Sequence, residues 1–301
     1  MELLETLNWV IPSLPLSDSL EDISRQCCNQ IEDYLGVVLT ADENVSPQWA
    51  SRQQLAKTVL AAVIDLQTGI STANKEKTQK IQTLHPDLRR LLSGVNAYAT
   101  GGLLHFVSKH VLGLYDQKIF TASAPQLLLV PENIMAAAVK LDVDVEPFFK
   151  WVLLHETVHA TQYQLAPWLR EEIQTRVIAI SNTKAREQRR QALGELTALM
   201  SVIEGQAEHM MDAAAQPLLT ADQVIHLRRQ RTTVAENQHW LLKLLNPTRA
   251  KLKQYQQGKT FCDHLAAADD GAENLLKLLS APEALPSPEE LEHPKLWLQR
   301  L

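Results

Sequence analysis

The chain has 301 residues, 45% apolar and 21% charged, which is ordinary for a globular protein long enough to bury a real core. Its formal net charge of −6 argues against nonspecific binding to nucleic acid or to an anionic membrane. No window reaches the ~20 apolar residues of a membrane span. Met1 to Val10 carries Glu2 and Glu5 and lacks the basic and apolar pattern of a signal peptide. Cys27, Cys28 and Cys262 imply neither a disulfide framework nor a metal knuckle. Together these features predict a cytoplasmic, reduced protein.

In chain order, apolar positions from Trp49 to Leu66 recur at helical spacing after a turn at Ser46-Pro47. A second helical run, Leu103 to Leu114, follows the flexible pair Gly101-Gly102. Gln126 to Val130 is a short apolar run between Pro125 and Pro131, which predicts a strand at a sheet edge, able to align an extended peptide by strand addition. Asp144 caps the next helix, which runs through Phe148, Phe149, Trp151 and Leu154. Later, Thr220-Ala-Asp-Gln223 and Ser287-Pro-Glu-Glu290 read as capping boxes. The cluster Arg228, Arg229 and Arg231 reads as a solvated helix face. Asn246-Pro247 starts another helix, and Gly258 is placed at its end. The pattern is mainly α with a small β element. A soft boundary near Tyr115-Asp116 divides a helical region, 1–115, from a motif-bearing region, 116–301.

The chemistry sits in His155-Glu-Thr-Val-His159. A spacing of four stacks the two histidines on one helix face, where both can reach one zinc ion. Glu156, about 100° around the helix, flanks that ion as a general base for a zinc-bound water. A charged Glu inside a strongly apolar helix is costly unless it is paired or near a metal. A third ligand is expected from Val202 to Asp212, where Glu204 is the first choice and Glu208 would accept from a ligand histidine's second ring nitrogen. His209, Asp212 and the more distant Glu195 are the rivals. Gly205 would let this helix approach the motif helix closely. Tyr163 or His209 could stabilise an oxyanion or contact substrate.

An ordered series of segments then resembles a known family. It comprises Gly113-Leu-Tyr-Asp116, Leu127 to Ile134, Phe149 to His159, Pro167-Trp-Leu-Arg170, Ile203-Glu-Gly205 with Met211-Asp212, Lys253 to Gly258, and Ala281 to Pro286 with Pro294 and Trp297. A weaker echo lies at Trp49-Ala-Ser-Arg52. The series is similar to the zincin-like metallopeptidases of unknown substrate, some of which carry a label linking them to coenzyme F420 biosynthesis. It departs from them at Tyr163, where phenylalanine is expected. The resemblance implies a mostly helical zincin-like fold, one Zn2+ held by His155, His159 and Glu204, and Glu156 as base. Three functions stay open: a zinc metallopeptidase, a zinc hydrolase of a small nonpeptide amide or ester, and a noncatalytic helical binding protein with a residual metal site. The partner is then a peptide or small-molecule substrate.

Overall fold

The computed structural model describes residues 14–39, 46–77, 97–121, 123–183, 185–235 and 252–300. The Asn246-Pro247 helix start lies outside them. The chain forms α1 (Leu20–Leu35), β1 (Pro47–Trp49), α2 (Arg52–Lys77), α3 (Ala97–His110), β2 (Gly113–Asp116), β3 (Gln126–Leu129), α4 (Pro131–Leu141) and α5 (Val145–Leu165). Then follow α6 (Trp168–Asn182), α7 (Arg186–Ala213), α8 (Ala221–Ala235), α9 (Leu252–Ala266), α10 (Ala272–Lys277), α11 (Pro288–Glu292) and α12 (Pro294–Arg300). The fold is mainly helical with one small sheet, as the sequence predicts. Among the described residues no helix is long and apolar enough to cross a membrane.

The centre is α5, which buries Phe148, Phe149, Trp151, Val152, Leu153, Leu154 and Val158. A helix that is apolar nearly all round belongs inside a core, and each such side chain stabilises by about 1.5–3 kcal/mol when fully buried. Against it packs α1, whose Ile23, Cys27, Ile31 and Leu35 recur at four-residue spacing on one buried face. The Ser19 side chain accepts from Asp22 N at the start of α1, and Gly36, at φ 67°, closes its end. Asp144 does occupy the N-cap of α5, but its side chain makes no capping bond. Both predicted capping boxes form, Thr220 with Gln223 and Ser287 with Glu290.

The sheet order is β1-β3-β2, with β1 parallel and β2 antiparallel to β3. Gln126 to Leu129 is therefore a strand, but a central one. Pro125 and Pro131 lie outside its ladder, and Pro131 instead opens α4. Leu127, Leu128 and Leu129 are all buried, which explains the unbroken apolar run. Strand addition to β3 is excluded, because both of its edges are paired. Trp49, assigned to a helix by periodicity, pairs with Leu129 in β1 and stacks its ring 5.3 Å from Phe149. Leu114 likewise belongs to β2, and Gly101-Gly102 lies inside α3. Long-range pairing overrode local pattern in both places. The sheet joins β1, from before residue 116, to β3, from after it.

The two glycines of the α7–α9 crossing also differ from expectation. Gly205 faces α9 rather than the motif helix: a Cβ there would lie 2.1 Å from the Gly258 carbonyl carbon. Gly258 sits within α9, where a Cβ would meet the Ser201 carbonyl oxygen. Backbone touches backbone here, and neither side can yield.

Gly205→Ala should therefore destabilise by about 3 kcal/mol through overpacking. Gly194→Ala, on the same helix with open space around its Cβ position, should stabilise by up to about 1 kcal/mol. Urea unfolding midpoints of the two variants provide the comparison, and equal shifts would contradict the crossing.

Candidate metal centre

Two elements bring the predicted ligands together. His155 and His159 are one turn apart on α5, and Glu204 comes from α7, which packs across it. His155 Nε2 and His159 Nε2 are 3.1 Å apart, and Glu204 Oε2 lies 3.5 and 3.6 Å from them. Ligands at 2.0–2.1 Å from a tetrahedral zinc are separated by about 3.3–3.4 Å. The three atoms thus span one face of such a tetrahedron. Among the described residues these three form the group of His, Cys, Asp and Glu able to hold an ion.

The outer hydrogen bonds fix what these atoms present. His155 Nδ1 lies 2.9 Å from Met211 Sδ, and His159 Nδ1 lies 2.9 Å from Gln162 Oε1. A thioether and an amide oxygen only accept, so both Nδ1 atoms carry the proton. Both Nε2 lone pairs then converge with a carboxylate oxygen. Three acceptors at this spacing repel one another unless positive charge lies among them. The donor set of two imidazoles and one carboxylate fits zinc.

Without an ion, a proton fills part of that role. Burial alone would lower the His159 pKa, but the charge and hydrogen bond of Glu204 outweigh it, with Glu156 adding, and raise it to about 9. Burial also raises the Glu156 carboxyl above the ordinary carboxylate range. Its two histidine neighbours pull it down and Glu204 pushes it further up.

Glu156 is 7% exposed and is held from the far side of the cluster by β2. Its Oε2 accepts from Tyr115 N at 2.9 Å. Gly113 makes the space: a Cβ there would lie 2.6 Å from Glu156 Cγ and 2.9 Å from Oε1. Neither role shows in the sequence, because one is played by a backbone N–H and the other by a missing side chain. Gln162 was not singled out, and Met211 only within the family resemblance and not as a partner of His155, although Gln162 sits at i+3 from His159, where a partner is expected.

The remaining candidates lie elsewhere. Glu208 was expected to accept from a ligand histidine, yet Met211 and Gln162 hold those positions. Glu208 instead lies near α9, where its charge adds to burial and Asp263 in raising the Cys262 thiol. His209 is about 140° around α7 from Glu204. Its Nε2 meets Tyr34 Oη at 2.7 Å and its Nδ1 meets Asp263 Oδ1 at 2.7 Å, so it points away from the cluster. Asp212 pairs with Arg228 and Lys259, and Glu195 with Arg176. Tyr163 does border the site, with its ring 5.8 Å from that of Tyr115 and its hydroxyl within the field of Glu204. Burial raises the pKa of both phenols, Tyr115 to about 12, so each remains a proton donor.

A family model described as zincin-like metallopeptidase matches residues 18–185 and 179–298. A solved structure described as "a putative hydrolase with a novel fold", from Chloroflexus aurantiacus, is 25% identical. It aligns over 96% of this chain and 92% of its own, with a TM-score of 0.72. None of the curated proteins compared with the chain matches it.

Gly113→Ala should cost about 1–3 kcal/mol in the wild-type background, because the new methyl displaces the buried carboxylate. In a Glu156→Ala background the same change should cost almost nothing. A double-mutant cycle by thermal unfolding reads the coupling, and additive losses would refute the contact.

Proposed function

The chain belongs to the zincin-like metallopeptidase family, and on that premise we propose that it is a zinc-dependent hydrolase, acting as a peptidase, with His155, His159 and Glu204 as ligands and Glu156 as general base. The observation that carries the proposal is the convergence of three acceptor atoms at tetrahedral spacing beside a buried carboxylate. Zinc held there supplies Lewis acidity toward a carbonyl oxygen and makes water a nucleophile near neutral pH. The absence of a fourth His, Cys, Asp or Glu from the cluster, among the described residues, favours a catalytic over a structural site.

Glu156 takes the proton from the attacking water and returns it to the leaving nitrogen. A carboxyl pushed upward by burial suits both halves of that transfer, since it can hold the proton between them. Tyr115 N–H fixes Oε2, so the carboxylate keeps one orientation. Tyr163, still a phenol, is the donor available to a developing oxyanion. An extended peptide would lie along β2. Leu112 O accepts from Val130 N, so alternation turns Gly113 and Tyr115 outward, away from β3. Their carbonyl oxygens are the acceptors for the peptide backbone.

A small nonpeptide amide or ester is the second reading. It is favoured by the low exposure of the reacting groups, 3% at His155 and 7% at Glu156, and by the engagement of Tyr115 N–H with Glu156. The same residues would carry that reaction.

The zinc-loaded protein should cleave a peptide library in a chelator-sensitive manner. Glu156→Gln should retain zinc and lose about 10²–10⁴-fold in rate. Glu204→Ala should lose the metal. Cleavage surviving in Glu156→Gln would remove the assigned base, and full zinc occupancy in Glu204→Ala would remove the third ligand.

Zinc binding must also expel the proton from His159. Protonation competes with the ion below the His159 pKa of about 9, so zinc affinity should rise about tenfold per unit from pH 7 toward 9 and level off above it. Competitive titration with a chelator of known affinity across that range measures the slope. A flat profile would contradict the His159–Glu204 coupling.

A further inference from the structure

Ligation through Nε2 requires the proton of neutral His159 to sit on Nδ1, whereas free histidine favours the opposite tautomer. The groups behind His159 select this tautomer from the side of the ring away from Glu204, whose carboxylate faces Nε2. The carbonyl of Leu275, in α10, can only accept, and Gln206 Nε2 donates to it at 3.0 Å. Gln206 therefore turns its Oε1 the other way, where Gln162 Nε2 donates to it at 2.8 Å. The same Gln162 nitrogen donates to the Ile203 carbonyl at 2.8 Å, which independently fixes the amide. Gln162 Oε1 is left facing His159 Nδ1 at 2.9 Å and can only accept from it. Gln162 and Gln206 are 1% and 0% exposed, so flipping either amide would strand donors and acceptors where no water can reach them.

We propose that Gln162 and Gln206 form a buried amide relay that locks the tautomer of His159, making both glutamines positioning residues for the metal ligand. The direction of the relay is set by two backbone carbonyls, of Leu275 and Ile203, which can only accept. It links α5, α7 and α10 in one line of hydrogen bonds. Only its consequence for metal affinity rests on the zinc-site reading; the tautomer itself does not.

Long-range 15N–1H spectra of the metal-free protein, with His159 in its neutral form, read the tautomer directly. The wild type should show the proton on Nδ1. Gln162→Leu should populate the Nε2–H form and weaken zinc binding roughly 10- to 100-fold. Gln206→Leu should weaken binding less, because Ile203 still orients Gln162. A wild-type Nε2–H tautomer overturns the relay, and so does a Gln162→Leu protein that melts lower yet keeps both tautomer and zinc affinity. Should Gln162→Leu fail to fold, the wild-type spectrum alone decides. A wild type that binds no zinc but shows the Nδ1 proton would instead refute the zinc-site reading while leaving the relay intact.

Discussion

His155 Nε2, His159 Nε2 and Glu204 Oε2 face one another across 3.1–3.6 Å, an arrangement that only positive charge can stabilise. The surrounding fold withholds every other way of relieving that repulsion. Every residue of α5 from Trp151 to Val158 is buried, which leaves His155 no path to swing out to water. Their outer nitrogens are committed to Met211 and Gln162, so the rings cannot turn over without losing those partners. A structure that holds three acceptors in place at this spacing favours an ion in the space between.

Two packing devices keep the partners of α5 at the required distance, and both depend on absent side chains. On the α7 side, Gly205 and Gly258 let α7 and α9 touch backbone to backbone, beside Glu204 in the chain. On the β2 side, Gly113 leaves the volume that the Glu156 carboxylate fills, and the next outward residue, Tyr115, supplies its N–H. Glu156 thus sits against a glycine of β2, and the helix that carries Glu204 against a glycine of α9.

Much of the site was legible because helix periodicity is local. The spacing of His155 and His159 determines that they share a face, and Glu204 followed from a polar position in an apolar helix. The capping boxes at Thr220 and Ser287 were legible for the same reason. What escaped required knowledge of which elements meet. Gly205 reads as a close-approach residue, but nothing in its neighbours says that Gly258 rather than α5 lies opposite. Four apolar residues between prolines read as an edge strand, although β3 is central, because Pro125 falls one residue and Pro131 two residues outside it. Glu208 reads as a partner of the histidines by its i+4 relation to Glu204, but one turn further along α7 the side chain is nearer α9. Tyr115 acts through its backbone, which no side-chain pattern can announce.

The rotation of α7 about its own axis is constrained on the face away from Glu204, where His209 sits. Glu204 must point at α5, so the face about 140° away must be held elsewhere. His209 bonds Tyr34 of α1 through one nitrogen and Asp263 of α9 through the other. Burial alone would raise the Asp263 pKa, but its hydrogen bonds to His209 and Lys259 bring it down to about 2, so it stays charged. Lys259 in turn reaches Asp212, which also pairs with Arg228 of α8. Hydrogen bonds to charged groups contribute about 1.5–3 kcal/mol each, so a twist of α7 that withdrew Glu204 would break several of them together. His209, read from sequence as an oxyanion donor, thus lies outside the cluster and ties α7 to α1 and α9 instead.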